Sequence, residues 1–164
     1  MKRLLLIIAF VAVFILGTSG YNENRFGTQV GDNAPALVVS NSIGKTSLDD
    51  CRGKYVLLSF WNSNDALSRT GVNSYQTWVN SCKKHSEKIA LIAVNLEDDT
   101  QLFSSIVKLD NLDSKCQFNV KGDEALKIRE DFKIYDNMGT LLIDTDGKIL
   151  AINPSVQLLN DLLS

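Results

Sequence analysis

Tyr55-Val56-Leu57-Leu58-Ser59-Phe60-Trp61 is a nearly unbroken apolar run of the kind found in strands covered on both faces. Ile89-Ala90-Leu91-Ile92-Ala93-Val94-Asn95 is a second such run. Between them Ser68, Val72, Tyr75, Val79 and Cys82 recur at steps of four, three, four and three, with Trp78 beside them. That spacing predicts one helix over residues 66–85, weakened locally at Gly71 by about 1 kcal/mol relative to alanine. Strand, helix and strand in this order form a right-handed parallel crossover. The centre of the chain is therefore a βαβ unit.

Working outward, Leu37-Val38-Val39 reads as a short strand, and Asn41-Ser42-Ile43-Gly44 turns the chain back toward Thr46 and Leu48. Downstream, a helix over 100–108 carries Leu102, Phe103, Ile106 and Val107 as its apolar stripe. Residues 116–120 read as a short strand, and a helix over 123–132 presents Ala125, Ile128 and Phe132. Residues 140–144 and 148–152 flank Thr145-Asp146-Gly147, and Asp-Gly favours hairpin turns. Pro154 opens a last helix with Val156, Leu159, Leu162 and Leu163 on its inner face. The expected class is α/β: a central mixed sheet with helices on both faces, an N-terminal β-hairpin and an inserted αβ unit.

The chain has 164 residues, 45% hydrophobic and 22% charged, with ten glycines and two prolines. Collagen-like, disulfide-scaffold and disordered classes are excluded, and one domain with a proper core is expected. Seventeen basic against nineteen acidic side chains leave a net charge of −2, without the basic footprint of a nucleic-acid partner. Residues 1–20 begin with Lys2 and Arg3, continue through thirteen uncharged, almost wholly apolar residues (4–16), and end in Thr18-Ser19-Gly20. That pattern is a signal peptide; its apolar run is short of the roughly twenty residues a spanning helix needs. Membrane contact is expected only if the segment stays uncleaved as an anchor. No cysteine lies between Leu16 and Tyr21 to accept a lipid. Cleavage after Gly20 leaves 15 basic against 19 acidic side chains, in the periplasm or outside the cell, where conditions are oxidising. Residues 21–33 read as a flexible lead-in, and residues 34–164 as the domain.

Several segments resemble the thioredoxin-fold redoxins: Gly31-Asp32-Asn33-Ala34-Pro35, Ser47-Leu48, residues 52–61, and Leu141-Leu142-Ile143-Asp144 followed by Asp146-Gly147-Lys148-Ile149. The likeness runs over about residues 30–163 and is most specific in residues 53–61. It is nearest to the exported thiol-disulfide oxidoreductases of cytochrome maturation and more distant from the thiol-specific antioxidant peroxidases. The resemblance implies a Cys-x-x-Cys at the start of the first long helix. There backbone N–H groups and the positive helix end stabilise an attacking thiolate.

In this chain those two positions are Asp65 and Ser68, with Arg69 where the family often has a basic residue. A carboxylate cannot form a mixed disulfide, and a hydroxyl is a far weaker nucleophile than a thiolate. Asn64 or Asp65 instead suits a helix cap, where negative charge stabilises by about 0.3–1 kcal/mol. The family's cis-proline, which faces the thiols and pairs with bound substrate, corresponds to Met138, followed by Gly139. A trans bond is expected there, because a cis bond before a non-proline costs about 2.5–4 kcal/mol. The expectation is a domain without disulfide exchange at the family site. Its groove, formed by Trp61, Asp65, Ser68, Arg69 and Met138, would hold a protein or peptide partner. No residue is assigned as catalytic, and no cofactor or metal is expected.

The competing reading is a divergent thiol-disulfide oxidoreductase or peroxidase using Cys51, Cys82 or Cys116. None of the three is spaced as Cys-x-x-Cys, and free cysteine is usually a small buried hydrophobe. Cys51, in the turn before the central strand, is expected to be the most exposed. His85, the sole histidine, reads as a solvated surface residue. Glu97, Asp98 and Asp99 read as caps for the next helix rather than a cation site. Asp144 and Asp146 belong to the hairpin turn, and Tyr75, Trp61 and Trp78 to the core or a groove wall.

Overall fold

The two apolar runs lie side by side at the centre of one sheet. β3 (Tyr55–Trp61) and β4 (Ile89–Asn95) pair in parallel over all seven residues, from Tyr55 opposite Ile89 to Trp61 opposite Asn95. The computed structural model describes residues 27–81, 83–135 and 138–163. The expected signal segment, residues 21–26, Cys82 and the Asn137–Met138 bond therefore lie outside the described residues. Among those described, no helix is long and apolar enough to cross a membrane.

The sheet order is β5-β4-β3-β6-β7. β5 (Gln117–Asn119) runs parallel to β4. β6 (Thr140–Ile143) is antiparallel to β3, and β7 (Ile149–Ile152) is antiparallel to β6. β1 (Val38–Ser40) and β2 (Lys45–Ser47) form a separate antiparallel ribbon. The mixed sheet, the ribbon and the αβ insertion are all as the patterning predicts.

Strand alternation sends Val56, Leu58, Phe60, Ile92 and Val94 to one face. There they meet Leu37 and Val39 of the ribbon segment and Ala125 and Ile128 of α4 (Gly122–Asp131). Leu57, Leu91 and Leu142 point to the other face, against Trp78 and Val79 of α1 (Ala66–Asn80) and Leu159 of α5 (Val156–Leu163). Trp61 and Ala93 share that second face with Val72 and with Ile106 of α3 (Thr100–Leu109). Leu57 and Leu58, neighbours in sequence, are both fully buried on opposite faces; each contributes about 1.5–3 kcal/mol.

Four sequence expectations change. The helix predicted over 66–85 breaks after Asn80, and α2 (Lys83–Lys88) is a separate short helix. The Trp78 carbonyl accepts both the Ser81 N–H, at 3.2 Å, and the Ser81 hydroxyl, at 2.7 Å, which closes the last turn. His85 is not a solvated surface residue. Its ring stacks on Trp78 with centroids 4.2 Å apart, and its Nδ1 lies 3.0 Å from the Trp78 carbonyl.

Residues 27–33 are not a loose lead-in. The Gly31 N–H donates to the Ile149 carbonyl, the Ile149 N–H to the Asp32 carbonyl, and Asn33 bridges to Lys148. This extension satisfies backbone groups on the outer edge of the sheet. Finally, Val156 is exposed on α5, and only Leu159, with Leu162 in part, reaches the core. The Leu163 side chain lies outside the described residues.

In the acidic cluster one residue caps the next helix, as the capping reading expects, while the other two bond to distant segments. Asp99 accepts from the N–H groups of Gln101 and Leu102 at the start of α3. Asp98 accepts from Gly122 N–H, and Glu97 from Asn64 Nδ2. Asp144 Oδ1 accepts from the N–H groups of Asp146 and Lys148, closing the hairpin turn.

Candidate functional site

β3 ends at Trp61, and α1 begins five residues later at Ala66. Asp65 caps it: Oδ1 accepts from the Leu67 N–H at 3.0 Å, as expected for a carboxylate at a helix start. The Ser68 hydroxyl accepts from the Asn62 N–H at 3.2 Å and donates to the Asp65 carbonyl at 3.1 Å. Its hydrogen-bonding capacity goes into clasping the loop. Its hydrogen-bond partners are backbone groups, and among the described residues no side-chain base is hydrogen-bonded to it. His85 lies beyond the far end of α1, about 20 Å away along the helix axis.

Asp65, Ser68 and Met138 converge on one hollow of about 230 Å³, which Leu67, Tyr75 and Gly139 also line. A second hollow of about 300 Å³ shares Phe60, Met138, Gly139, Thr140 and Asn153 with it and extends to Ile134 and Ile152. Together they form a groove that passes over Met138-Gly139. Asn153 holds its floor: Oδ1 accepts from Thr140 N–H at 2.8 Å, and its own N–H donates to the Thr140 carbonyl at 2.7 Å. A Cβ at Gly139 would come within 3.1 Å of Asn153 Oδ1, so the small residue keeps this approach open. Ser59 and Thr140 share a buried hydroxyl–hydroxyl bond of 2.8 Å between β3 and β6. The Tyr75 hydroxyl donates to the Pro154 carbonyl at 3.0 Å. Burial raises its pKa, partly offset by the Thr140 hydroxyl. At the rim Leu67 is 84% exposed.

Two residues expected in the groove are elsewhere. Trp61 is 0% exposed and packs on Phe103, with centroids 5.8 Å apart. At the last position of β3 its side chain turns inward to the face covered by α1 and α3. Arg69 makes a paired contact with Asp110, Nε at 2.8 Å and an Nη nitrogen at 2.7 Å. That places it in a different hollow, beside Thr70 and Asn73. Sequence reasoning missed Ser59, Thr140 and Asn153. Ser59 was visible as the lone aliphatic hydroxyl in an apolar strand, whereas nothing local marks Asn153.

The two described cysteines, Cys51 and Cys116, lie away from the mouth. Cys51 ends a short 3₁₀ turn (Asp49–Cys51) and is half-buried beside Leu48 and Ala34 on the ribbon side of the sheet. Of the two described cysteines it is the less buried, in the order the sequence predicts. Burial raises its thiol pKa, a bond to Thr46 opposing. Cys116 closes a second 3₁₀ turn (Ser114–Cys116) and packs on the opposite face, among the contacts of Leu57 and Leu91. Burial, with Asp113 adding to it, pushes its thiol up to about 11. Both are free thiols, and the sheet between them rules out a bridge. At neutral pH each is held protonated and is a poor nucleophile.

The AhpC/TSA family model matches residues 30–152. A thiol-disulfide oxidoreductase ResA of Bacillus cereus is 27% identical over 162 residues, covering 91% of this chain and 83% of that protein. The thioredoxin-like protein YneN of Bacillus subtilis is 25% identical, covering 86% of this chain and 84% of its own length. A thioredoxin-like protein from Parabacteroides distasonis superposes with a TM-score of 0.70 at 26% identity, covering 85% of this chain and 97% of that one.

Proposed function

The chain belongs to the AhpC/TSA family, and we propose that it is an exported thioredoxin-like protein that binds rather than exchanges disulfides at its helix mouth. The groove across Met138-Gly139 receives an extended segment of a protein or peptide partner. One observation carries the reading: at the two positions matching the family's thiols, Asp65 and Ser68 are both committed to backbone hydrogen bonds. The side chains that would carry the chemistry hold the loop instead. The signal-like residues 1–20 support export to the periplasm or beyond.

Insulin reduction in the presence of dithiothreitol tests the absence of exchange. The wild type and a Cys51→Ser/Cys82→Ser/Cys116→Ser variant are expected to run at the same background rate. A higher wild-type rate would instead support redox chemistry at one of those thiols, and the single variants would identify which. Recognition is tested by co-purification from envelope extracts, comparing the wild type with Leu67→Asp. A charge at this exposed rim position should release the partner while leaving thermal stability within about 0.5 kcal/mol.

A further inference from the structure

A further hollow lies away from the helix mouth. It lies at the β5 edge of the sheet, between the β1–β2 turn and the outer side of α3, and has a volume of about 810 Å³. That is within the range of small-molecule sites, about 300–1,000 Å³, and well above either half of the groove.

Its wall has a distinct chemistry. Of fourteen lining residues nine carry a hydroxyl or a carboxamide, two are lysines and none is acidic. Lys108 and Lys121 make no ion pair among the described residues, and the Lys121 ammonium rests 3.3 Å from the Thr100 hydroxyl. Phe103 and Leu112 supply an apolar patch. Gln117 is only 2% exposed, yet its Oε1 has no partner and its Nε2 has only the Cys116 sulfur at 3.8 Å. A buried amide left this way is costly, because no hydrogen bond offsets its desolvation. Its last torsion is soft, so a ligand with hydroxyls can draw the amide into a proper bond.

The same edge is closed to an added strand. Asn41 Nδ2 donates to the Gln117 carbonyl at 3.1 Å and to the Ser114 carbonyl at 3.0 Å. Asn41 is itself fixed by accepting from the Ile43 and Gly44 N–H groups. An extended peptide pairing with β5 would have to displace it. A compact ligand would not.

We propose that this hollow binds an anionic sugar: a mono- or disaccharide-sized polyol bearing a carboxylate or phosphate. Lys108 and Lys121 take the anion, the hydroxyl and amide wall with Gln117 takes the ring hydroxyls, and Phe103 meets the apolar face of the ring. The site is separate from the helix mouth and does not depend on what the mouth binds.

Titration calorimetry with amide chemical-shift mapping tests it, using glucuronate and glucose 6-phosphate as probes and glucose and inorganic phosphate as controls. At least one probe should saturate, with shifts centred on Asn41, Lys108, Gln117 and Lys121. Glucose should bind at least about tenfold more weakly, a difference of about 1.4 kcal/mol. Lys108→Gln/Lys121→Gln should remove that advantage, and Gln117→Leu should weaken probe and glucose alike. The double lysine variant alters only exposed side chains, so it decides the matter if Gln117→Leu fails to fold. The proposal is overturned if neither probe gives a saturable signal at millimolar concentration, if the shifts lie elsewhere, if phosphate alone binds as tightly as the probes, or if the lysine variant binds them unchanged.

Discussion

If the start of α1 has the electrostatics of a thiol site, then placing sulfur there should confer reactivity. The perturbation is Asp65→Cys/Ser68→Cys. Its cost follows from the contacts removed. Asp65 loses the cap on Leu67 N–H at 3.0 Å, typically about 1 kcal/mol. Ser68 loses its bonds to Asn62 and Asp65, a net of about 1 kcal/mol more. A loss of about 2 kcal/mol lowers the melting temperature by roughly 5–10 °C in a domain of this size, so the reduced variant should remain folded. The gain is at the first introduced thiol, which sits over the open N–H groups of α1. Its pKa should fall from about 8.5 to about 7. At pH 7 the thiolate fraction then rises about fifteenfold, from a few per cent to half. Lower intrinsic nucleophilicity takes back a factor of about four to five. The net alkylation rate should be about threefold that of an ordinary exposed cysteine, with a midpoint in its pH profile near 7. Iodoacetamide kinetics followed by mass spectrometry from pH 5 to about 10 reads both quantities, and mild oxidation should remove two hydrogens from the variant. A midpoint at 8.5 or above in a folded variant would refute the claim that this helix end favours an anion.

Three further outcomes are expected. Arg69→Met removes the partner of an Asp110 side chain that is only 17% exposed; it should cost about 1–3 kcal/mol in urea unfolding and leave groove binding unchanged. Ser59→Ala and Thr140→Val should each destabilise by about 1–2 kcal/mol, because each strands one hydroxyl of the buried 2.8 Å pair, while the double variant should cost less than their sum. The Cys116 thiol is raised in the folded state to about 11, so it favours folding fully below the unfolded-state value of about 8.5 and loses that contribution as pH climbs through 11. Wild type should therefore lose stability relative to Cys116→Ser between those limits, and a difference independent of pH would contradict the assignment.

The parts of the fold that could be read in the chain are those set by nearest neighbours. β3 and β4 have the limits the apolar runs predict, because such a run is stable only when covered on both sides. The α3 stripe of Leu102, Phe103, Ile106 and Val107 packs as expected, since helical spacing alone selects which side is buried. Asp65 caps α1 for an equally local reason. The break after Asn80 was hidden because the 3.6-residue pattern continues past it, while the Ser81 hydroxyl ends the turn by competing for a backbone carbonyl.

Local order in the chain is enough to specify the layered α/β sheet, the family likeness, and the presence of Asp65 and Ser68 at one helix start. Tertiary structure alone decided which neighbours of that start belong to a groove. It buried Trp61, turned Arg69 away to Asp110, and brought Thr140 and Asn153 from the closing hairpin under Met138. It also put Cys51 and Cys116 on opposite faces of the sheet. Periodicity and capping act over a few residues and are written in local order, whereas these contacts join segments up to about eighty positions apart. Such partners meet only after strand pairing has closed the intervening chain, and no short-range pattern encodes which of many polar side chains will face each other.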